Sequence, residues 1–589
     1  MIKSGPTAPK DAATHRRAVY IMADQMIQSM KKQDQECSSE IYLDDERLVN
    51  KAEIVGGITD SNFLDEIATA EGFYSMIAAI GVSAVSEDEE MLTFRLKNYG
   101  KEDRYCGHQL EMEIPTTGVE SILELEQEKE LVNDAVLGQF AFLFSKENAT
   151  ASITVKLYLK DTVKGVEIPE ISFDEPVEFM SEPALRLIKK SFIHRGNAYR
   201  FQKLYQKAKR GEEITIAFIG GSITQGAGAV PIQINCYANK TYEMLCEYLQ
   251  ISMAQCNFIK AGIGGTSSEL GLIRYYNQVE EESNKTPDLV VVEFAVNDEG
   301  DETKGVCHES LIYKILKEKQ TPAVLMLFSV FANDWNLQDR LMPIGRTYNI
   351  PMISLKDALV EQFHQKKENG SVISKRQYFY DIYHPTNLGH MMMAHCLTYA
   401  LKQLMEAKEE VNDINFDTLP AIGRQFAGIS YFDKKTVALY GNSINTVNNK
   451  STVSLFREAK IQIEEGSFCE TDTLVQCVER DQDGFQTPQF PYNWSYSKAI
   501  KKESFRMKIY SRSLFIMVKD SDSPAFGKAD VYVDGKKILT YDSRKVGWTH
   551  ANAVLLYDET RAMEHFVEIK MAPFDEEKVF TILGFGFCI

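Results

Sequence analysis

The chain has 589 residues, of which 84 are acidic and 65 basic, so its formal net charge at pH 7 is −19. Apolar residues make up 44% of the chain and charged residues 25%, proportions that are typical of a globular protein and exclude a disordered one. Because the net charge is strongly negative, we expect neither nucleic acid nor an anionic membrane surface as a partner. At about 150 residues per domain, the length suggests several domains.

The ten cysteines are scattered and include no CxxC pair. This pattern favours reduced, mostly buried thiols over a disulfide scaffold or a zinc site. Residues 1–10 lack the apolar core of a signal peptide, and no apolar run reaches the roughly 18 residues that a bilayer requires. We therefore expect a cytoplasmic protein without a transmembrane segment.

Residues 1–180 form the first predicted domain. Residues 18–30 are apolar but interrupted by one aspartate and two glutamines, which favours an amphipathic helix at the start. The stretches 91–96 and 151–159 alternate between apolar and polar residues, as half-buried strands do. The prediction is a mainly antiparallel β domain with a leading helix, followed by an acidic, proline-containing connector over residues 162–181.

Residues 183–410 form the second predicted domain, in which helix-like stretches alternate with short apolar strands. This alternation is typical of a parallel sheet flanked by helices, so we predict an α/β fold here. The helix-like stretches include residues 184–210 and 239–253. Strands are predicted at residues 214–220, 257–262, 289–296, 323–328 and 351–354.

The third predicted domain covers residues 425–589 and returns to a period of two. Within residues 530–539, an Asp-Gly pair separates two alternating segments, a strong signal for a β-hairpin. Residues 565–571 and 579–585 are further predicted strands. We expect a β-sandwich or jelly-roll-like domain.

The predicted strand at residues 214–220 ends in a glycine pair followed by Ser222. Glycines allow the backbone to turn sharply and leave the serine at the carboxyl edge of the sheet, where ligands bind in open α/β folds. Ser222 is therefore a candidate nucleophile, provided that the chain also supplies a base, an orienting acid and oxyanion donors.

His384 is the candidate base, in the segment Asp381-Ile382-Tyr383-His384 before the last predicted helix. An acid three residues earlier in a loop can turn back to the imidazole. It would hold one ring nitrogen protonated and stabilise the imidazolium that forms as the serine attacks. Because both segments follow strands of one sheet, we expect Asp381 and His384 to meet Ser222.

Two further loops offer donors for an oxyanion. One contains Gly262, Gly264 and Gly265, whose backbone amides could approach a substrate oxygen closely. The other ends a predicted strand at Asn297, whose side-chain amide is a further donor. With the amide of Ser222, three donors could converge on one oxygen.

These four segments, in this order, resemble the blocks of the SGNH hydrolase superfamily, also called GDSL-like esterases. The resemblance implies that Ser222 is the nucleophile and that Asp381 and His384 are the acid and the base. It also implies that Ser222, Gly265 and Asn297 form the oxyanion hole, with Gly262 or Gly264 as alternatives to Gly265. The family fold is a parallel sheet in a three-layer α/β/α domain, and its mechanism needs neither a metal nor another cofactor.

The resemblance covers about residues 195–405 and departs from the family at two positions. Gly221 stands where the family name has an acid, and Ala295 replaces a glycine that often precedes the asparagine by two residues. The Gly-Gly-Ser-Ile-Thr-Gln-Gly motif is similar to that of the microbial carbohydrate esterases, in which an SGNH domain is paired with a β-sandwich. The carboxy-terminal region around Trp548 is similar to such a sandwich.

Several other residues have weaker or structural assignments. Gln225, Trp335 and Trp548 are expected to line the substrate pocket. We expect Glu293 to make a structural hydrogen bond, Asp298 to fix its loop, and His390 and His395 to pack in the last helix. One aromatic patch could stack on sugar rings, although core packing is the commoner fate of such residues. This patch consists of Phe485, Phe490, Tyr492, Trp494 and Tyr496.

The sequence thus predicts a serine esterase that removes O-acetyl groups from carbohydrate through an acyl-enzyme on Ser222. The expected partner is an acetylated xylo- or manno-oligosaccharide, and the chain is compatible with a homo-oligomer. Two alternatives stay open: a lipid or thioester hydrolase of the same superfamily, and a carbohydrate-binding protein that has lost its activity.

Overall fold

The computed structural model describes residues 17–31, 36–100, 107–125, 136–168, 174–281, 285–365, 370–440, 458–479, 486–496 and 503–589. We refer to residues 17–168 as the N-terminal region, 174–408 as the central region and 430–589 as the C-terminal region. Every helix within the described ranges is too short or too polar to cross a lipid bilayer. The nine described cysteines are free.

The N-terminal region contains two antiparallel sheets, with three short helices in the connection between the third and fourth strands. Its strands are β1 (Ala18–Gln28), β2 (Met30–Lys31), β3 (Cys37–Tyr42), β4 (Ile77–Val85), β5 (Met91–Tyr99), β6 (Gln109–Pro115), β7 (Ser121–Glu124), β8 (Val136–Phe144) and β9 (Thr150–Leu159). Its helices are α1 (Arg47–Ile54), α2 (Ser61–Ile67) and α3 (Ala70–Met76). The sheet orders are β1-β9-β4-β7 and β2-β3-β8-β5-β6, and both sheets share one apolar core.

The predicted leading helix is wrong, because residues 18–28 form strand β1. This strand pairs with β9, and its register shifts twice between Tyr20 and Gln25. Asp24 lies at the second shift with a positive φ of 46°, and its backbone N–H donates to Thr154 Oγ1 at 3.0 Å. Such bulges interrupt the apolar–polar alternation of a strand, so the spacing of the polar residues resembles that on the polar face of a helix.

The central region alternates strands and helices. Its strands are β10 (Phe192–His194), β11 (Ile214–Gly220), β12 (Cys256–Gly262), β13 (Leu289–Glu293), β14 (Ala323–Phe328) and β15 (Met352–Ser354). Its helices are α4 (Glu182–Ser191), α5 (Tyr199–Lys209), α6 (Ser222–Gln225), α7 (Ile232–Asn235), α8 (Tyr237–Leu249), α9 (Ser268–Tyr275), α10 (Val306–Leu316), α11 (Gln338–Thr347), α12 (Leu355–Phe363), α13 (Lys375–Tyr378) and α14 (Asn387–Met405). A 3-10 helix (Met253–Gln255) and a π-helix (Tyr276–Glu281) complete the region.

The strands of the central region form one sheet in the order β10-β15-β14-β13-β11-β12. β11 to β15 pair in parallel, and β10 is antiparallel to β15. Alternate residues of β11 enter different cores, because successive side chains of a strand point to opposite faces. Ile216 and Phe218 share a core with α5, α8 and α14, whereas Ala217 and Ile219 share one with α9 and α10. Helices therefore cover both faces of the sheet.

The long helix predicted for residues 184–210 is two helices, α4 and α5, separated by β10. Gly196 lies between them with a φ of +61°, and a Cβ there would approach the backbone carbon of Ile350 to 2.5 Å. Only glycine accepts both the left-handed conformation and this close approach. The chain therefore turns at Gly196, and β10 is free to pair with β15.

The described part of the C-terminal region consists mainly of antiparallel strands. They are β16 (Ser430–Phe432), β17 (Gln462–Glu464), β18 (Cys477–Glu479), β19 (Gln486–Pro488), β20 (Trp494–Ser495), β21 (Phe505–Asp520), β22 (Lys528–Val533), β23 (Lys536–Asp542), β24 (His550–Met571) and β25 (Thr581–Cys588), with one helix, α15 (Lys434–Tyr440). The main path of the large sheet is β16-β25-β21-β24-β22-β23; β17 pairs with β21 and β20 with β25. As predicted, Asp534 and Gly535 form the turn of the β22–β23 hairpin, and both have positive φ.

Strand β21 joins the C-terminal region to the central region. Leu514 and Ile516 lie in the core of the C-terminal region. Phe515 and Met517, on the opposite face, share a core with Ile273 of helix α9. Because the second half of β21 is buried on both faces, the C-terminal region packs directly against helix α9 of the central region. The chain is thus a mixed α/β protein with strand-rich regions before and after its parallel strands.

Candidate active site

Ser222 is the first residue of α6 and follows the end of β11 directly. Two glycines allow this approach because side chains of neighbouring elements occupy the space. A Cβ at Gly220 would lie 2.1 Å from Thr224 Oγ1, and one at Gly221 would lie 2.2 Å from Asn297 Oδ1. The glycine at 221, a departure from the family name, is therefore required by the asparagine that packs against it.

The structure brings Ser222, His384 and Asp381 into one hydrogen-bonded chain. Ser222 Oγ lies 2.9 Å from His384 Nε2, and His384 Nδ1 lies 2.9 Å and 3.0 Å from the two carboxylate oxygens of Asp381. One of these oxygens also accepts the backbone N–H groups of Tyr383 and His384, at 2.8 Å and 2.7 Å. The backbone of its own loop thus fixes the carboxylate in the position from which it contacts the imidazole.

The electrostatic surroundings keep Asp381 ionised. Burial alone would raise the pKa of its carboxyl group. The charge and hydrogen bond of His384, the charge of Lys51 and the backbone of Tyr383 outweigh burial, and the net pKa lies well below its usual range. An ionised acid at this position can stabilise an imidazolium on its neighbour.

Lys51 comes from helix α1 of the N-terminal region, and only 3% of it is exposed. Its ammonium donates to the carbonyl oxygen of Tyr380 at 3.1 Å and lies 5.3 Å from the centre of the same residue's ring. Burial lowers the pKa of Lys51 to about 8, although the charge of Asp381 opposes this shift. One helix turn away, the guanidinium of Arg47 lies 5.3 Å from the centre of the Tyr383 ring.

The C-terminal region holds the loop of Gly264 and Gly265 from the other side. Gln476 Nε2 donates to the carbonyl oxygen of Gly264 at 2.8 Å. The ring of His550 bridges Asp520 and Gly265: its Nδ1 lies 2.9 Å from Asp520 Oδ2, and its Nε2 lies 3.1 Å from the Gly265 carbonyl oxygen. Gly265 itself has a φ of +71°. The loop is therefore positioned by contacts outside the central region.

The asparagine loop is fixed by Asp298. Its carboxylate accepts the backbone N–H of Ser268 at 2.7 Å and lies 2.9 Å from His308 Nδ1. This arrangement ties the start of α9 to the end of β13 and leaves Asn297 beside Gly221. Asp298 thus has the loop-fixing contacts that the sequence predicted.

Two buried polar residues support the strand ends around Ser222. Arg274 donates to the carbonyl oxygens of Ala261 at 2.7 Å and Gly220 at 2.9 Å, so it joins the ends of β11 and β12. Glu293 accepts the hydroxyl of Thr224 at 3.2 Å, the structural role that we expected. Burial raises the pKa of Glu293 to about 7, even though hydrogen bonds to its carboxylate oppose the shift.

Of the three predicted pocket residues, Gln225 and Trp548 lie at the loop of Gly264 and Gly265, and Trp335 lies nearer the loop of His384. The side-chain oxygen of Gln225 is near Gly264, since it would lie 3.1 Å from a Cβ there. Trp548 packs on Gly265, whose added Cβ would lie 2.7 Å from the indole. Trp335 stacks on Phe331, and Phe331 contacts the ring of Tyr383 edge-on. The rings of Phe331 and Tyr383 therefore lie between Trp335 and His384.

The aromatic patch does not form an exposed platform. Phe490, Trp494 and Tyr496 are buried, and Tyr492 is exposed but covered by the ammonium of Lys435 at 4.6 Å. Phe485 lies outside the described residues. His390 is buried as predicted, and its ring accepts the backbone N–H of Tyr237 at 3.1 Å. His395 stacks on Phe179.

Sequence reasoning missed the residues that hold the site from the two flanking regions: Lys51, Arg47, Gln476, Asp520 and His550. One signal was present for Lys51, which falls on the apolar stripe of α1 with Leu48 and Ala52, both buried. A lysine on such a stripe must find a buried partner. Among the described residues, no group of three histidine, cysteine or acidic side chains is placed to hold a metal ion.

Similarity to known proteins is found among solved structures. No protein-family model and no curated protein sequence matches the chain. Among solved structures, it is similar to a two-domain esterase active on acetylated mannans, with a TM-score of 0.53 and 25% identity over 68% of this chain and 98% of that one. The chain therefore resembles the SGNH/GDSL-like hydrolases of the carbohydrate-esterase branch.

Two other solved structures align with lower TM-scores. A family two carbohydrate esterase from Clostridium thermocellum, in complex with cellohexaose, has 14% identity and a TM-score of 0.24, and the alignment covers 56% of this chain and 90% of that one. A member of the lipolytic G-D-S-L family from Veillonella parvula has 20% identity and a TM-score of 0.23, over 32% of this chain and 97% of that one.

Proposed function

We propose that this chain is a serine esterase that removes O-acetyl groups from carbohydrate, with acetylated manno- or xylo-oligosaccharides as substrates. The observation that carries the proposal is the hydrogen-bonded chain from Ser222 through His384 to Asp381. The proposed substrate class is supported by the similarity to an esterase active on acetylated mannans.

In the proposed reaction, Ser222 Oγ attacks the acetyl carbonyl carbon while His384 Nε2 takes the hydroxyl proton. Asp381 holds the ring through Nδ1 and stabilises the imidazolium that results. Collapse of the tetrahedral intermediate breaks the bond to the sugar oxygen, which receives the proton from His384. Water then attacks the acetyl-serine by the same proton transfers, and acetate and free Ser222 result.

The oxyanion of the tetrahedral intermediate would be bound by the amides of Ser222 and Gly265 and by the side chain of Asn297. Asn297 packs directly against Gly221, so its amide group lies next to the nucleophile. Donors that are fixed before the reaction stabilise the developing charge without reorganisation, and loss of one typically costs about 10²–10³ in rate. The positioning of both loops by buried contacts supports this role.

The proposal is tested by Ser222→Ala. We expect this variant to release acetate from acetylated manno- or xylo-oligosaccharides at least about 10³-fold more slowly than wild type, because the nucleophile is lost. Its circular dichroism spectrum should be unchanged. Ser252→Ala is a matched control, since Ser252 is a serine of the same region that only caps a short helix. Equal acetate release by Ser222→Ala and wild type would contradict the assignment.

A further inference from the structure

A cavity of about 300 Å³ lies between the N-terminal and C-terminal regions. The N-terminal region contributes the end of β3, the start of α1 and parts of β5, β6 and β8. The C-terminal region contributes Asp522 and the loop from Val546 to Trp548. None of the described residues of the central region lines it, so the described lining comes from the two flanking regions.

Two residues place this cavity beside the candidate active site. Trp548 lines the cavity and also packs on Gly265 of the oxyanion loop. Arg47 lines the cavity and also lies over the ring of Tyr383, the neighbour of His384. The cavity is therefore separated by the side chain of Trp548 from Gly265 and by that of Arg47 from Tyr383.

The lining combines aromatic faces with hydrogen-bonding groups. Tyr42 and Trp548 are 42% and 41% exposed, and the guanidinium of Arg47 lies 5.9 Å from the centre of the Tyr42 ring. Tyr99 also faces the cavity and donates from its hydroxyl to Gln139 Oε1 at 3.1 Å. Amphipathic aromatic rings provide flat apolar faces, and amides and carboxylates can both bind hydroxyl groups. A sugar ring has this combination of C–H faces and hydroxyl edges.

The charges of the cavity favour a neutral ligand. Its carboxylates are Glu40, Asp44, Asp45 and Asp522, against the cations Arg47 and Lys97. Arg47 already pairs with Asp44 at 3.2 Å and Asp45 at 3.3 Å, and Lys97 with Glu40 at 3.7 Å. The surplus of negative charge disfavours phosphates, uronic acids and fatty-acid carboxylates.

We propose that this cavity is a glycan subsite in which the N-terminal region holds a neutral sugar unit of the substrate beside the acetylated one. This inference rests on the proposed function, because it assigns the ligand to the same reaction. It gives the N-terminal region a role in selecting oligosaccharides over small esters. A long acyl chain would find a polar, charged wall there instead of an apolar one.

The test is Tyr42→Ala, assayed on an acetylated manno-oligosaccharide and on p-nitrophenyl acetate. We expect kcat/KM for the oligosaccharide to fall by roughly 10-fold, since one stacking face is lost. The value for p-nitrophenyl acetate should stay within about 2-fold of wild type, because this ester is too small to reach the subsite. Tyr42→Phe keeps the ring and should restore most of the oligosaccharide activity.

Tyr492→Ala is the matched control. Like Tyr42, Tyr492 is exposed, by 45%, and its ring lies beside a cation, the ammonium of Lys435, but it is in the C-terminal region outside the cavity. This variant should leave both activities unchanged. Equal losses on the two substrates for Tyr42→Ala, or no loss on either, would overturn the subsite while the proposed function stands.

A binding measurement separates the subsite from catalysis. By isothermal titration, Ser222→Ala should bind mannopentaose or xylopentaose more tightly than the double variant Ser222→Ala/Tyr42→Ala, and should not bind oligogalacturonate. Tighter binding of oligogalacturonate, or equal binding of the pentaoses by both variants, would overturn the subsite. If wild type hydrolyses p-nitrophenyl acetate but no acetylated oligosaccharide, the proposed function itself fails.

Discussion

The N-terminal and C-terminal regions hold opposite sides of the candidate active site by different means. The N-terminal region reaches the acid–base side with cations: buried Lys51 binds the Tyr380 carbonyl and Arg47 covers Tyr383. The C-terminal region reaches the oxyanion side through contacts with backbone carbonyls, from Gln476 to Gly264 and from His550 to Gly265. The first support is chiefly electrostatic and the second chiefly geometric.

This difference follows the chemistry of the two sides. The acid–base pair works through charge, so a nearby cation changes the stability of the ionised acid and of the imidazolium. An oxyanion hole works through the placement of N–H donors, so its loop needs a fixed backbone. The comparison therefore predicts that N-terminal variants change pH dependence, whereas C-terminal variants change the rate at every pH.

The largest expected effect is on stability and comes from Lys51→Met. Burial lowers the pKa of Lys51 in the folded protein to about 8, against about 10.5 when unfolded. Between these values the unfolded chain binds more protons, so stability rises with pH. Below pH 8 the folded protein carries the full cost of the buried charge, and that cost disappears as the lysine loses its proton. Between pH 7 and 10, the free energy of unfolding of wild type should therefore rise by about 2–3 kcal/mol relative to that of Lys51→Met.

Urea unfolding at several pH values measures this difference. Lys203→Met is the control, because Lys203 is exposed and only lies over the ring of Tyr199. Its stability relative to wild type should not depend on pH in this range. A Lys51→Met curve parallel to that of wild type would show that the ammonium is not buried in its charged form.

The next effect is on rate and comes from His550→Ala. Without the imidazole, the Gly265 carbonyl loses its hydrogen-bond partner in the C-terminal region, and the loop that carries the proposed oxyanion donor is less firmly held. We expect kcat to fall by up to about 10²-fold, with KM little changed and the pH profile unshifted, because loss of a fixed donor affects the transition state. Steady-state kinetics on p-nitrophenyl acetate over pH 5 to 9 measure all three quantities.

The C-terminal region contains a matched control for this variant. His565 is in the same strand as His550, β24, and also pairs with an aspartate, but its Nδ1 lies 2.8 Å from Oδ2 of Asp534, in the turn of the β22–β23 hairpin. His565→Ala should lower stability and leave kcat unchanged. Equal losses of kcat in the two variants would mean that the C-terminal region acts on the site only through its overall stability.

The sequence predicted the central strands and the candidate site better than the flanking regions, for a physical reason. β11 and β14 are apolar runs with sharp ends, and their bounds agree with the prediction. Parallel strands also bring their carboxyl ends to one edge, so Ser222 and the His384 loop could be placed together from topology alone. Local pattern and fold geometry agree there.

The flanking contributions depend on contacts that no local pattern encodes. Lys51 meets Tyr380 across 329 residues of sequence, and His550 meets Gly265 across 285. The register shifts around Asp24 also interrupt the alternation of strand β1, so its sequence pattern resembles that of a helix. A periodic pattern shows which face of an element is buried, but not which distant element covers it.

The smallest expected effect is on the pH–rate profile of Lys51→Met. The charge of Lys51 adds to the positive potential around Asp381, so its removal should move the acidic limb of kcat/KM to higher pH. At the wild-type optimum, kcat should fall by roughly 10-fold, since the carbonyl of Tyr380, the residue before Asp381, loses its charged hydrogen-bond donor. Lys51→Arg keeps the charge and should restore the limb.

Lys314→Met distinguishes this effect from general destabilisation. Burial also lowers the pKa of Lys314 in the central region, which donates at 2.8 Å to the carbonyl oxygen of Ile429, just before the C-terminal region. Its removal should affect stability but leave the acidic limb in place. A limb that moves equally in Lys51→Met and Lys314→Met, or in neither, would break the comparison. The N-terminal region would then support the site chiefly through geometry, as the C-terminal region does.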